Sequence, residues 1–242
     1  MQLLLVLKAA AYSVLLALST INWFWVFVFI AGAFYFYRRE SLNAKYFAGS
    51  FLILVSVSLL ALFNVFSQNS WLYVVSAIFF GILFFILLGV KNLIFVNRIL
   101  PYYFLNSLLF GAVLILFFAG DKSSIFAFKY LTAGAAFFFL FREFIIFHFE
   151  TPHSVGQSPV SAKKNLIALT LSFLILQFVW IAALLPIGFL NATSFMLLSV
   201  FILDDLLIHN SRGTLTRQII LRDTTFFLVI TLIVFAFSKW TP

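Results

Sequence analysis

The sequence predicts an all-α integral membrane protein, a polytopic bundle of about nine transmembrane helices laid out as successive hairpins. Three observations predict it. Of the 242 residues, 64% are hydrophobic and only 9% are charged. A soluble domain is near half apolar and about a quarter charged, so this chain lacks the charges to cover a water-facing shell. The apolar residues fall in nine runs, each close to the roughly 17 to 25 residues that cross a bilayer. Lys and Arg collect in alternate links between those runs.

The runs follow in order. Leu3–Ser19 and Ile21–Tyr37 are parted by Ser19-Thr20-Ile21-Asn22 ahead of Trp23, which reads as a tight helical hairpin. One long tilted helix over 3–37 is an alternative, and so is a signal peptide ending near Ala17-Leu18-Ser19 after Lys8. Tyr46–Phe66 and Trp71–Val90 flank the turn Ser67-Gln68-Asn69-Ser70. Pro101–Ala119 and Ile125–Phe149 flank Gly120-Asp121-Lys122-Ser123. Asn165–Leu185 and Ala192–His209 flank the stretch Pro186 through Asn191, and a last run covers about Ile219–Ser238. Spans and turns use nearly all of the chain, which predicts a single transmembrane domain over residues 1–242 and no soluble domain.

Orientation follows from charge. Arg38, Arg39 and Lys45 come after the second run, Lys91 and Arg98 after the fourth, and Lys163 and Lys164 after the sixth. Arg212, Arg217 and Arg222 lie around the link between the eighth and ninth. Basic residues stay in the cytoplasm, so the N-terminus is expected inside and the C-terminus outside. Tryptophan collects at headgroup level, and Trp23, Trp25, Trp71, Trp180 and Trp240 all fall toward the outer face in this arrangement.

The formal charge of +8 is then topological and not a sign of nucleic-acid binding. The expected partners are the lipid bilayer and, as an open option, another membrane protein; compactness and tiny loops point to a bacterial cytoplasmic membrane. The absence of Cys excludes disulfides, thiolate nucleophiles and Cys-based metal or iron–sulfur sites. The longest polar stretch, Thr151–Lys164 with Pro152, Gly156 and Pro159, reads as a cytoplasmic loop.

Close helix packing in lipid relies on small residues. Ala77 and Gly81 are four apart on the fourth run, as are Ala168 and Ser172 on the seventh, and Thr132-Ala133-Gly134-Ala135-Ala136 makes a smooth patch on the sixth. The 36 Phe residues read as packing and lipid-facing bulk.

An ionisable side chain inside a span costs about 2.5–3.5 kcal/mol at mid-depth and is a functional candidate by default. Asp205 and His209 share a face of the eighth helix, Asp204 points about 100° away, and Gly213 supplies a stop. The sixth carries Arg142 and Glu143, at a depth similar to Asp204, Asp205 and His209 in the inner third, then His148 and Glu150 at its inner end. The leading expectation is a structural ion-pair layer with Arg142 facing Asp204 or Asp205. Snorkelling without a partner comes next, then a working site. A site of this composition can relay protons or hold a divalent ion. Metal spacing is unconvincing: Pro152 separates Glu150 from His153, there is no HExxH, and neither metal nor cofactor is expected.

Phe144 and His148 match the F-x-x-x-H element of CPBP-type intramembrane proteases, but the paired glutamates that precede it there are absent. The chain resembles no characterised family closely enough to carry a function across. Arg222 beside Asp223 reads as a neutralised pair, and Leu215, Ile219 and Ile220 as a short interfacial turn before the last span. Three functions are expected in order: a non-enzymatic scaffold or assembly subunit of a membrane complex, a small proton-coupled transporter or channel, and a membrane-embedded hydrolase or transferase.

Overall fold

The computed structural model describes residues 2–38, 47–64, 70–92, 98–120, 126–149, 161–185, 187–211 and 213–237. Several sequence expectations fall on Arg39, Lys45, Lys122, Glu150, His153, Arg212 and Trp240 and on most of the Thr151–Lys164 stretch, which lie outside these residues. Every regular element among the described residues is an α-helix: α1 Gln2–Leu18, α2 Trp23–Arg38, α3 Ala48–Asn64, α4 Ser70–Lys91, α5 Ile99–Ala119, α6 Phe126–Phe149, α7 Ser161–Leu184, α8 Phe189–Ser211 and α9 Arg217–Phe237. Five of them, α4 through α8, are long and apolar enough to cross a membrane. The first three are apolar but shorter, rising about 24–26 Å over their 16 or 17 residues. Charge sets α9 apart, because Arg217, Arg222 and Asp223 occupy its first two turns.

The chain divides into two compact units, Met1–Ala112 and Val113–Pro242, with the boundary inside α5. In the first unit α1 packs against α4 and α2, and α3 against α4. Its α1 turns Leu5, Ala9, Tyr12 and Leu16 inward, a stripe at helical spacing. The Tyr12 ring is fully buried, stacked on Phe84 at 4.3 Å and edge-on to Phe29 at 5.0 Å. Its hydroxyl shares a hydrogen bond with Ser58 Oγ at 3.0 Å, so one side chain ties four helices together. That central role makes α1 a structural member of the unit.

The break between α1 and α2 is real. Ser19 closes α1 by donating its hydroxyl to the Leu16 carbonyl at 2.6 Å, and the Asn22 side chain caps α2 by accepting the Trp25 amide at 3.3 Å. Chain reversal places the Trp23 and Trp25 end of α2 beside the start of α4, where Tyr73 bonds both the Thr20 hydroxyl and the Ala17 carbonyl. At the opposite end Lys91 donates to the Tyr37 carbonyl and holds its ammonium 3.4 Å from the centre of the Tyr37 ring. The cation thereby sits at the negative end of α2. Trp23, Trp25 and Trp71 thus mark one end of this unit, and Arg38 and Lys91 the other.

The α1–α4 contact is close for a reason the sequence half states. Gly81 faces Ala9 and Ser13, and a Cβ at Gly81 would overlap Ser13 Oγ and come within 3.2 Å of the Ala9 carbonyl. Ala77, one turn earlier, is buried on the same face. Small residues four apart on both helices let the two backbones approach.

In the second unit α6 packs on α7, α7 on α8 and α8 on α9. Phe137, Leu140, Phe141, Phe144 and Ile145 of α6 are fully buried, as are Ala168, Ile175 and Val179 of α7 and Met196 of α8. A Cβ added at Gly134 would stand 3.5 Å from the Leu176 side chain, so at this point of the small-residue patch α6 faces a side chain of α7. Lys129 donates to the Gly120 carbonyl at 3.2 Å and lies 4.5 Å over the Phe117 ring, closing α5 as Lys91 closes α2. The proposed interfacial turn does not form a separate element: Ile219 and Ile220 belong to α9 itself.

Each helix also leaves large apolar side chains uncovered, among them Leu7, Phe27, Leu60, Ile82, Phe104, Leu131, Phe173, Phe201 and Leu232. Isolated exposed hydrophobics are ordinary, but a set spread over every helix is a surface that hydrocarbon solvates far better than water.

Candidate functional site

The polar residues singled out in sequence separate into two groups. The first joins α6 to α7. Arg142 is exposed and donates Nε–H to Asn165 Oδ1 at 2.9 Å. One position on, Glu143 is buried at 4% exposure, as the 100° step of a helix requires when its neighbour faces out. His148 is half-buried and stacks on Phe144 with ring centroids 4.9 Å apart. The F-x-x-x-H pair is thus an i, i+4 ring contact along one helix.

The second group joins α8 to α9. Arg222 lies 2.8 Å from Asp205 Oδ2 and 2.8 Å from Asp223 Oδ1, bridging a carboxylate from each helix. His209 Nε2 stands 3.8 Å from the same Asp205 oxygen, and its Nδ1 meets Thr214 Oγ1 at 3.0 Å. The bridge is half open to its surroundings: Arg222 is 62% exposed and Asp205 42%, whereas the Asp223 side chain is 9% exposed. A guanidinium is suited to this place because its planar fork reaches two acceptors at once.

Local sequence explains why α8 ends where it does. Gly213 has φ +66°, its amide donates to the Asn210 carbonyl at 3.2 Å, and the Thr214 amide reaches back to His209 at 3.0 Å. These are the paired bonds of a glycine-stopped helix end, and they bring Thr214 back against His209. The stop anticipated at Gly213 is there. Turning the chain at this point is also what brings Arg222 of α9 alongside Asp205.

The anticipated layer with Arg142 facing Asp204 or Asp205 does not form. Arg142 is bonded to Asn165 of the next helix, and Asp205 is bonded to Arg222. The direction in which each side chain leaves its helix was not available from depth along the helices. Asn165 and Thr214 were missed, both being small polar residues at helix ends without a motif of their own. Asp223 was read as the partner of Arg222, which is correct, while the second carboxylate, Asp205, was assigned elsewhere.

Asp204 differs from its neighbour. It is 7% exposed, it has no ion-pair partner among the described residues, and its Oδ1 meets no hydrogen-bond donor there. Among the described residues no group of three or more His, Asp or Glu converges as a metal site would require. No protein-family model, curated protein or solved structure matches the chain.

Proposed function

We propose that the chain is a nine-span membrane protein acting as a non-enzymatic scaffold or assembly subunit of a larger membrane complex. The single observation that carries this reading is the use made of the charges. Arg222 is committed to Asp205 and Asp223 as a tie between α8 and α9, and Arg142 to Asn165 as a tie between α6 and α7. Charged groups that cost free energy to place near hydrocarbon are here answered across helix pairs, Arg222 by a carboxylate of α8 and Arg142 by a neutral amide of α7. That is the behaviour of a structural device.

In this reading α1, α2, α3 and α9 cross the bilayer together with the five longer helices. Helices of about 24–26 Å fall a few ångströms short of a hydrocarbon core of roughly 30 Å, a mismatch that local thinning and flanking residues absorb. The separation of Trp23, Trp25 and Trp71 from Arg38 and Lys91 supports the sidedness, with the basic end in the cytoplasm. Trp180 stands about 22 Å along α7 from Asn165, which supports the same sense in the second unit. A bacterial cytoplasmic membrane is the proposed location.

The test is purification in mild detergent with measurement of native mass. A scaffold subunit travels with another membrane protein at fixed stoichiometry, and Asp205→Asn weakens that association or the fold without altering any flux. A chain that runs alone and supports proton flux abolished by Asp205→Asn in proteoliposomes contradicts the proposal and favours the transporter reading.

A further inference from the structure

We propose that the uncovered face of α7 is a contact between two copies of this chain in the membrane, joined across a twofold axis by the Gln177 side chain of each. The inference rests on α7 crossing a bilayer and not on the scaffold reading.

The residues of α7 fall on two opposite seams. Ala168, Ser172, Ile175, Val179 and Ala182 recur at alternating steps of four and three residues and are buried, as expected of the side that packs on α6 and α8. Leu166, Thr170, Phe173, Gln177, Trp180 and Leu184 recur in the same rhythm about 200° around the helix, and all six are exposed. Alternating steps of four and three are the spacing of a left-handed helix pair, in which side chains of each helix enter gaps in the other.

Five of the six suit a hydrocarbon surrounding. Leu166, Phe173, Trp180 and Leu184 are largely apolar, and Thr170 returns its hydroxyl to the Leu166 carbonyl at 3.0 Å. Gln177 is the exception. Its side chain carries an NH2 group that donates and a carbonyl that accepts, and neither meets a partner among the described residues. Gln177 lies about 10 Å of helix rise from Leu184 and about 21 Å from Lys163, the two ends of the apolar stretch. Side chains on a helix lean toward its N-terminus, so Gln177 leans away from the nearer end and back into the span. An amide held there against lipid chains forgoes the hydrogen bonds that water would give it.

A second copy supplies what is missing. Copies inserted in the same orientation hold Gln177 at the same depth, and a twofold axis along the bilayer normal brings the two side chains together. The amide is its own complement, because the N–H of each donates to the carbonyl of the other. A single polar residue in an otherwise apolar seam also fixes the register of the pair. A partner of different sequence would need its own hydrogen-bonding group at this depth, whereas this chain already carries one.

The absence of Cys lets single cysteines in the full-length chain, in native membranes, report the contact by oxidative cross-linking. Phe173→Cys and Leu184→Cys should yield disulfide-linked dimers, and Leu232→Cys, exposed on α9, should not. Energy transfer between labelled copies, followed as liposomes are diluted with lipid, then gives the dimer dissociation constant. Gln177→Leu should raise it roughly tenfold. Gln177→Asn, which keeps an amide, should retain most of the association, and both variants should unfold at the temperature of the parent. Cross-linking no stronger at Phe173 than at Leu232, a Gln177→Leu protein that associates as the parent does, or a monomer at every dilution overturns the proposal; lipid or another protein then covers this face. Purification without a second protein would sink the scaffold reading and leave these measurements untouched.

Discussion

Replacing Gly81 by Ala tests the packing of the first unit where it is least forgiving. Helix propensity alone favours alanine by about 0.5–1 kcal/mol. Against that, the new methyl overlaps Ser13 Oγ and stands 3.2 Å from both the Ala9 carbonyl and Ser13 Cβ. Ser13 Oγ now donates to the Ala9 carbonyl at 3.2 Å and must leave that position, and the Ala9 oxygen can move only if the α1 backbone moves. Overpacking of this kind costs about 1–3 kcal/mol. With a backbone atom among the obstacles, the net loss is about 1–2 kcal/mol. The assay is reversible unfolding in mixed micelles by titration with a denaturing detergent, followed by circular dichroism. Ser13→Gly in the same chain removes both side-chain obstacles, and the double-mutant cycle should show a favourable coupling of about 1 kcal/mol. Gly134→Ala is the control, because its methyl meets only the Leu176 methyls at 3.5 and 3.8 Å and should be neutral or slightly stabilising. A Gly81→Ala protein at least as stable as the parent, with no coupling to Ser13, refutes the close α1–α4 approach.

Four further outcomes follow from the same geometry. Gly213→Ala forces a side chain into a backbone with φ +66° and should cost about 1–2 kcal/mol, read as lowered thermal stability and faster amide exchange at Thr214. Tyr12→Phe removes a buried hydrogen bond but leaves Ser58 Oγ its bond to the Val55 carbonyl at 2.9 Å, so the loss should stay near 0.5–1 kcal/mol. Tyr12→Ala removes a fully buried ring and should cost about 3–5 kcal/mol in the same unfolding assay. Arg222→Gln should loosen α9 from α8, detected as protease cleavage near Leu215 at rates several-fold above those of the parent; equal rates would show that the bridge is not a tie.

Much of the helical layout was legible because it is written in one dimension. The polar break at Ser19–Asn22 contains its own cap residues, and Gly213 carries the conformational freedom its stop requires. Ala77 and Gly81 announced a close approach, since only small residues at helical spacing permit one. What they approached was not legible. Ala9 and Ser13 lie on a helix far away in sequence, and a hydropathy pattern does not record which non-consecutive helices meet. The same limit governed the polar residues. Arg142 and Asp205 were placed at a common depth, but each residue along a helix turns the side chain by about 100°, and a small error in azimuth exchanges one partner for another. Hence Arg142 went to Asn165 and Asp205 to Arg222. Lys129 escaped notice as one cation inside an apolar run, although its ring and carbonyl partners explain why it can stay there.

Sidedness of the first hairpin is the most direct measurement, and a chain with no cysteine makes it simple. Single cysteines at Asn22 and Arg38 are exposed to a membrane-impermeant maleimide in intact cells and again after permeabilisation. A membrane-spanning α2 with its basic end inside predicts that Asn22→Cys reacts at once and Arg38→Cys reacts only when the cytoplasmic face is opened. Labelling of both from the same side, or of Arg38→Cys alone from outside, contradicts it.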